Sequence, residues 1–242
     1  IIRSHPEDVA VYRMMIEAAS RAGDIKRYVG GLHSLAKWLT KNKADTEAIA
    51  VCRQVLECMA DDEKSLKALT NLYGKLGDTI AASEMIERRA DLLGKRGDIE
   101  NAITFYREAI RLEPSDSEML GRIAKKMIGF GEQDEAIALM RTQADLLIKQ
   151  KSLPEATACL REIIRLAPDD VEAHSSLAEC LEKSGNEAEA AKVLAELAAR
   201  AQSDEKLEEA IGLRLKIRAL MPLDVANLET LMALHEEIGR AH

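Results

Sequence analysis

Residues 114–131 read PSDSEMLGRIAKKMIGFG, and the pattern returns 54 residues later as PDDVEAHSSLAECLEKSG in residues 168–185. Each stretch begins with proline and ends with glycine. Between these ends, apolar side chains recur at intervals of three and four residues, which is the spacing of one face of an α-helix. Each stretch therefore predicts an amphipathic helix that ends at the glycine, where the backbone can adopt the left-handed conformation of a C-cap.

The same spacing extends along the whole chain. Stepping forward by 54 residues gives Pro222, and stepping back gives Ala60 and then Pro6. A glycine follows seventeen residues after each of the five positions: Gly23, Gly77, Gly131, Gly185 and Gly239. A fixed period of this kind indicates tandem structural repeats. We expect the end of a preceding repeat at 1–5, full repeats at 6–59, 60–113, 114–167 and 168–221, and a partial repeat at 222–242.

Each repeat has the pattern of three helices. The second helix follows a residue that can cap it in three repeats: Asp24, Asp78 and Asn186. Its apolar stripe has a central alanine in all four repeats: Ala36, Ala90, Ala144 and Ala198. We expect the third helix to begin near Asp45, Asp98, Pro154 and Asp204. No such helix can bury its apolar stripe alone, so we predict an all-α solenoid in which successive repeats stack.

The composition narrows the possible functions. The net charge of −8 argues against nucleic acid as a ligand, because phosphate binding needs clustered basic residues. No apolar run approaches the roughly 18–20 residues that span a bilayer, so we expect no direct membrane insertion. The four cysteines (Cys52, Cys58, Cys159 and Cys180) form no CxxC motif, and we expect them to fill the core. Unpaired cysteines favour a reducing compartment, and we expect a cytoplasmic location.

The chain shows no pattern typical of an enzyme. Its five histidines lack metal-ligand spacing, and no serine or cysteine has an identifiable base nearby in sequence. His174 and His235 fall on the core-facing stripe of the first helices, where we expect buried structural histidines. We therefore predict no catalytic residue, no metal site and no cofactor.

Several helices resemble tetratricopeptide repeats. Ala102, Tyr106, Ala109 and Pro114 match the second half of that family's pattern. Leu120, Ile123, Ala124 and Met127 resemble its first half. The family's unit is a two-helix hairpin of about 34 residues, whereas the period here is 54. We interpret the middle helix as shared, acting as the second helix of one hairpin and the first of the next.

The resemblance implies that the chain binds proteins or peptides along a groove lined by the first helices. Charge along those helices changes from basic to acidic, so we expect a polarised groove that orients its partner. The residues 6–59 hold eight Lys and Arg against seven Asp and Glu, while 168–221 hold seven against twelve. The candidate binding residues are Arg13, Arg21, Lys64, Lys67, Asn71, Lys75, Lys125, Glu179 and Glu182.

We expect a non-catalytic scaffold or adaptor, in a bacterial assembly. Two alternatives are a regulatory or substrate-recruiting segment of a larger enzyme and a peptide-sensing regulator. Ile1, Ile2 and Arg3 match Ile163, Ile164 and Arg165, so we expect the array to continue beyond the sequence, and self-association through the ends is a further alternative.

Overall fold

The structure, a computed structural model, describes residues 9–241, with side chains described as far as Glu236. The predicted repeat end at 1–5, Pro6, His5 and His242 lie outside the described residues. Within the described range the chain forms thirteen α-helices and no strand. In chain order these are α1 (Val9–Arg21), α2 (Ile25–Lys41), α3 (Asp45–Cys58), α4 (Glu63–Leu76), α5 (Thr79–Lys95), α6 (Ile99–Leu112), α7 (Ser117–Phe130), α8 (Gln133–Lys149), α9 (Leu153–Leu166), α10 (Val171–Lys183), α11 (Glu187–Ser203), α12 (Leu207–Leu220) and α13 (Val225–Ala241).

Helices at equivalent positions in successive repeats begin 54 residues apart. The first helices begin at residues 9, 63, 117, 171 and 225, the second at 25, 79, 133 and 187, and the third at 45, 99, 153 and 207. The protein is therefore an all-α array of helical repeats, as the sequence predicted. The helices divide into two compact units, which we call unit 1 (α1–α6) and unit 2 (α7–α13).

Within each unit, each helix packs mainly against the one before and the one after it. Leu66 and Leu69 on α4 are completely buried in unit 1, and Leu120 and Ile123 on α7 are completely buried in unit 2. The four central alanines of the second helices are buried as predicted: Ala36, Ala90, Ala144 and Ala198. Repeated burial of these stripes supplies the apolar free energy that holds neighbouring helices together.

Two details of the predicted core are wrong. His235 is exposed, because α13 packs against one described neighbour and leaves a wider face to solvent. Cys58 is also exposed, whereas the other three cysteines are buried, and all four are free thiols.

The predicted helix starts are mostly correct. Asp24 and Asp78 accept hydrogen bonds from the backbone N–H groups of Arg27 and Ala81, both at 3.0 Å. Asn186 stands at the N-cap of α11 but its side chain forms no capping bond. Asp204 does not begin a third helix. It ends α11, and α12 begins three residues later at Leu207, because the turn between them includes Glu205 in the left-handed conformation.

A second left-handed position in each repeat escaped the sequence analysis. Gly77 and Gly131 end the first helices with φ of 74° and 87°, as expected. The second helices are followed by residues with φ between 60° and 82°, namely Lys43, Gly97, Lys151 and Glu205. Only one of these four residues is glycine, so residue type did not predict the left-handed conformation here. Gly239 ends no helix, because α13 continues to Ala241.

Candidate partner-binding grooves

The nine predicted binding residues are all exposed and lie on the first helices of four repeats. Lys64, Asn71 and Lys75 share one groove on unit 1. Lys67 lies on the same helix, α4, but outside that groove. Arg13 and Arg21 on α1 are also outside it, and Arg21 forms an ion pair of 2.6 Å with Glu17 on its own helix. Of the seven predicted binding residues that are not acidic, the structure therefore places three in one groove.

The groove on unit 1 lies between α2 and α4, and we call it the α2–α4 groove. It has a volume of 590 Å³. Its apolar lining consists of Ala36, Cys52, Ala68 and Leu72, and its polar lining consists of His33, Lys37, Thr40, Lys64, Ser65, Asn71 and Lys75. An apolar base with convergent polar groups is the usual form of a site that binds a peptide or a small molecule.

His33 connects the two walls of the α2–α4 groove. Its Nε2 lies 2.8 Å from Asp62 Oδ2 and 3.2 Å from Ser65 Oγ. Asp62 also caps α4, since its carboxylate accepts the backbone N–H of Ser65 at 2.8 Å. Burial acts to raise the pKa of Asp62, but the hydrogen bonds from Ser65 and His33 outweigh it and hold the pKa below the ordinary value. The carboxylate thus fixes α2 against the start of α4.

The lysines of the groove are incompletely neutralised. Lys75 lies 3.8 Å from Asp45 Oδ1, a buried oxygen that accepts no hydrogen bond among the described residues. Lys37 and Lys64 are exposed, and the described part of the chain shows no ion pair for either. Because three lysines line a groove that also has an apolar lining, the groove favours an anionic ligand with apolar neighbours.

Cys52 contributes packing to the groove and no nucleophile. Burial, together with the charge of Asp62, raises the pKa of its thiol to about 11. The thiol is therefore protonated near neutral pH, and only the thiolate is a strong nucleophile.

The equivalent position of His33 in the third repeat is Arg141, on α8 of unit 2. Arg141 Nη2 lies 2.5 Å from Asp170 Oδ2, and Arg141 Nη1 contacts Glu172. Asp170 caps α10 by accepting the backbone N–H of Ala173 at 3.0 Å. Two repeats therefore use a basic side chain on the second helix, His33 or Arg141, to hold the N-cap aspartate of the following first helix. Sequence reasoning missed this contact, although the 54-residue spacing places both partners in register.

Lys125 lies in a different groove, between α7 and α9 of unit 2, with a volume of 680 Å³. The lining includes Arg122 and Lys125 as well as Glu118, Glu155 and Glu162, so charges of both signs are mixed. Gln143 on α8 also lines this groove, and it lies so close to Gly121 that a Cβ at position 121 would clash with its side-chain amide. Burial raises the pKa of Cys159, also in this lining, to about 11.

The predicted acidic residues of α10 lie outside both grooves. Glu179 forms an ion pair with Lys183 at 3.7 Å on the same helix, and Glu182 is exposed. In the described residues no three His, Cys, Asp or Glu side chains are placed to hold a metal ion. None of the described helices combines the length and the apolar character needed to cross a membrane.

Two segments of the chain match family models. The residues 147–212 and 83–116 each match a model described as tetratricopeptide repeat. These two segments are tetratricopeptide-type repeats. The match at 83–116 begins within α5 and includes α6, whereas the match at 147–212 includes α9, α10 and α11.

Solved structures with this repeat are similar to the chain at low identity. A tetratricopeptide repeat protein from Parabacteroides merdae is 16% identical, with 93% of this chain and 98% of that chain covered and a TM-score of 0.36. The C-terminal part of a repeat protein from Cytophaga hutchinsonii is 17% identical, covering 82% and 99%, with a TM-score of 0.25. YrrB, described as a tetratricopeptide repeat protein with an unusual peptide-binding site, is 16% identical, covering 83% and 90%, with a TM-score of 0.23.

No curated protein matches the sequence. The tetratricopeptide repeats themselves suggest a protein–protein interaction scaffold. They leave open which surface binds and what it binds, since one repeat architecture serves many functions.

Proposed function

We propose that this protein is a non-catalytic scaffold and that its α2–α4 groove binds an acidic segment of a partner protein. The observation that carries the proposal is that Lys37, Lys64 and Lys75 line the same groove as the apolar residues Ala68 and Leu72. Acidic side chains of the partner would pair with the ammonium groups, and an apolar side chain between them would contact the base.

The groove also has neutral hydrogen-bonding groups for the partner. Asn71 is exposed on α4 and lines the groove between Lys64 and Lys75. Its amide offers two N–H donors and one carbonyl acceptor, so it can bind the main chain of a peptide as well as a side chain. Recognition would therefore combine the charge of the lysines with hydrogen bonds from Asn71.

The binding experiment compares two lysines on the same helix. Lys64→Glu reverses a charge inside the groove, and Lys67→Glu makes the same change on α4 outside it. We expect a fluorescently labelled Glu-rich peptide with one central Leu to lose on the order of tenfold in affinity with Lys64→Glu, since reversal of a partly desolvated contact costs about 1–2 kcal/mol. Lys67→Glu should change the affinity less, because its charge is farther from the ligand and is screened by salt.

A matched pair of peptides separates this groove from general electrostatic attraction. A Lys-rich peptide of the same length should not bind unit 1, and replacing the central Leu by Ser should weaken binding of the Glu-rich peptide. Equal losses with Lys64→Glu and Lys67→Glu would show that the general positive charge of α4 causes the attraction, and the groove would then not be the binding site.

A further inference from the structure

A small pocket of 180 Å³ lies among α9, α10 and α11 of unit 2. Its apolar lining consists of Ile164, Leu177 and Val193, and its polar lining consists of Arg161, His174 and Glu196. No residue predicted from the sequence to bind a partner lines it. The pocket is also separate from the α2–α4 groove, which belongs to unit 1.

His174 presents a hydrogen-bond acceptor that the fold leaves unused. The imidazole is buried, with 1% of the residue exposed. Its Nδ1 lies 2.8 Å from the backbone oxygen of Asp170, which can only accept, so Nδ1 carries the proton. Nε2 is therefore the acceptor, and it is buried with no hydrogen-bond partner among the described residues. A buried acceptor without a donor destabilises the folded state.

Packing does not require a histidine at this position. The equivalent residues of the two preceding repeats are Leu66 and Leu120, and both are completely buried. Leucine therefore fills this place in the repeat without an unpaired polar atom. The imidazole of His174 is an exception to the repeat, and it occurs where a pocket opens beside it.

The charges around the pocket select the ligand. Arg161 Nη2 lies 2.5 Å from Glu189 Oε1, so this guanidinium is already neutralised by a carboxylate on α11. Glu196 is exposed, and no ion pair is present for it in the described residues. Arg161, Glu189 and Glu196 together carry a net charge of −1. The carboxylate of Glu196 and the unpaired Nε2 of His174 can both accept a hydrogen bond from a ligand. The net charge of −1 favours a ligand whose donor group is cationic.

We propose that this pocket binds the side chain of a lysine from a partner protein. The ammonium group has three N–H donors, which can reach His174 Nε2 and the carboxylate of Glu196. The aliphatic stem contacts Ile164, Leu177 and Val193, as long charged side chains commonly do on apolar surfaces. An anionic side chain is disfavoured, because the carboxylate of Glu196 repels it, Arg161 is already paired with Glu189, and His174 Nε2 cannot donate a hydrogen bond to it.

The test uses two small probes that differ in the ammonium group. N-acetyl-lysine-N-methylamide is titrated into protein labelled with ¹⁵N, and the signals of the His174 ring nitrogens are followed by NMR. The norleucine analogue has a similar aliphatic stem without the ammonium group. We expect the lysine probe to shift the Nε2 signal of His174 and the norleucine probe to leave it unchanged.

Variants identify the two acceptors. Glu196→Gln should weaken binding of the lysine probe by about tenfold, as expected when a charge-assisted hydrogen bond becomes a neutral one. His174→Leu restores the residue of the preceding repeats, so it should fold, and it should abolish binding. Glu208→Gln removes an exposed charge on α12 and serves as the control.

Three results would overturn the proposal: no response of His174 to the lysine probe, an equal response to both probes, or stronger binding of N-acetyl-glutamate-N-methylamide. The first would mean that water alone meets the need of Nε2 for a donor. None of these results bears on the α2–α4 groove, whose test uses an acidic peptide and variants of unit 1.

Discussion

Replacement of Arg141 by methionine should destabilise unit 2 by about 2 kcal/mol, since it removes a charge-assisted hydrogen bond to a buried carboxylate. The side chain of Asp170 is only 3% exposed, whereas that of Arg141 is 41% exposed. Without Arg141, the carboxylate keeps its hydrogen bond from Ala173 N–H but loses its cation in a place that water reaches poorly. Partial exposure of the guanidinium keeps the cost below that of a fully buried ion pair.

The assay is urea denaturation followed by circular dichroism, combined with hydrogen exchange of the Ala173 amide. Exchange at Ala173 should accelerate in Arg141→Met, because this N–H donates to Asp170 and reports the start of α10. Arg96→Met is the matched control. Arg96 pairs with Glu63 at 2.9 Å, but both side chains are more than half exposed, so the cost should be about 0.5 kcal/mol or less.

A double-mutant cycle with Asp170→Asn isolates the pair. If the ion pair acts as described, Arg141→Met should cost about 1–2 kcal/mol less in the Asp170→Asn background than in the wild-type protein. Additive effects of the two substitutions would refute the reasoning, as would equal losses from Arg141→Met and Arg96→Met. Either result would show that Arg141 contributes mainly through the packing of its methylene groups.

Two further predictions concern stability. Lys151→Gly should stabilise the protein by about 0.5–1 kcal/mol, since φ at this residue is 63° and a Cβ is disfavoured there. Gly97→Ala, at the equivalent position with φ of 82°, should destabilise the protein by about 1 kcal/mol. A change of stability in the same direction for both variants, measured by urea denaturation, would contradict this prediction. The lowered pKa of Asp62 means that its contribution is complete above its ordinary pKa of 3.8 and is lost as the pH falls through the lower value of the folded state. Unfolding monitored by fluorescence of Trp38, on α2, should therefore be less sensitive to pH in this range in Asp62→Asn than in the wild-type protein, and unchanged in the exposed neighbour variant Asp61→Asn.

The sequence predicted the helices well because their signals are local. Proline, glycine and aspartate act within one turn of a helix, and the 54-residue period repeats the pattern often enough to be recognised. One error occurred where an aspartate suggested a helix start. Asp204 ends α11 instead of beginning the next helix, so the start of α12 was placed three residues too early.

The candidate sites were harder to predict, because they depend on which faces of different helices meet. Lys64 and Lys67 are indistinguishable by residue type and both are exposed, yet only Lys64 lines the α2–α4 groove. Lys37 was missed because it comes from the second helix, and the expected groove used the first helices alone. His174 was expected to be buried and is buried, but its unpaired Nε2 follows only from the positions of its neighbours.

The sequence by itself determined the repeat, the helical class and the buried stripes, because each is set by residue spacing along a single helix. The tertiary structure decided which exposed charges converge, which aspartates are held by His33 or Arg141, and where an imidazole nitrogen lacks a donor. Both aspartate contacts join side chains that are 29 residues apart, on helices that meet only after packing. Apolar periodicity predicts which face of a helix is buried, but it does not predict what the exposed face contacts.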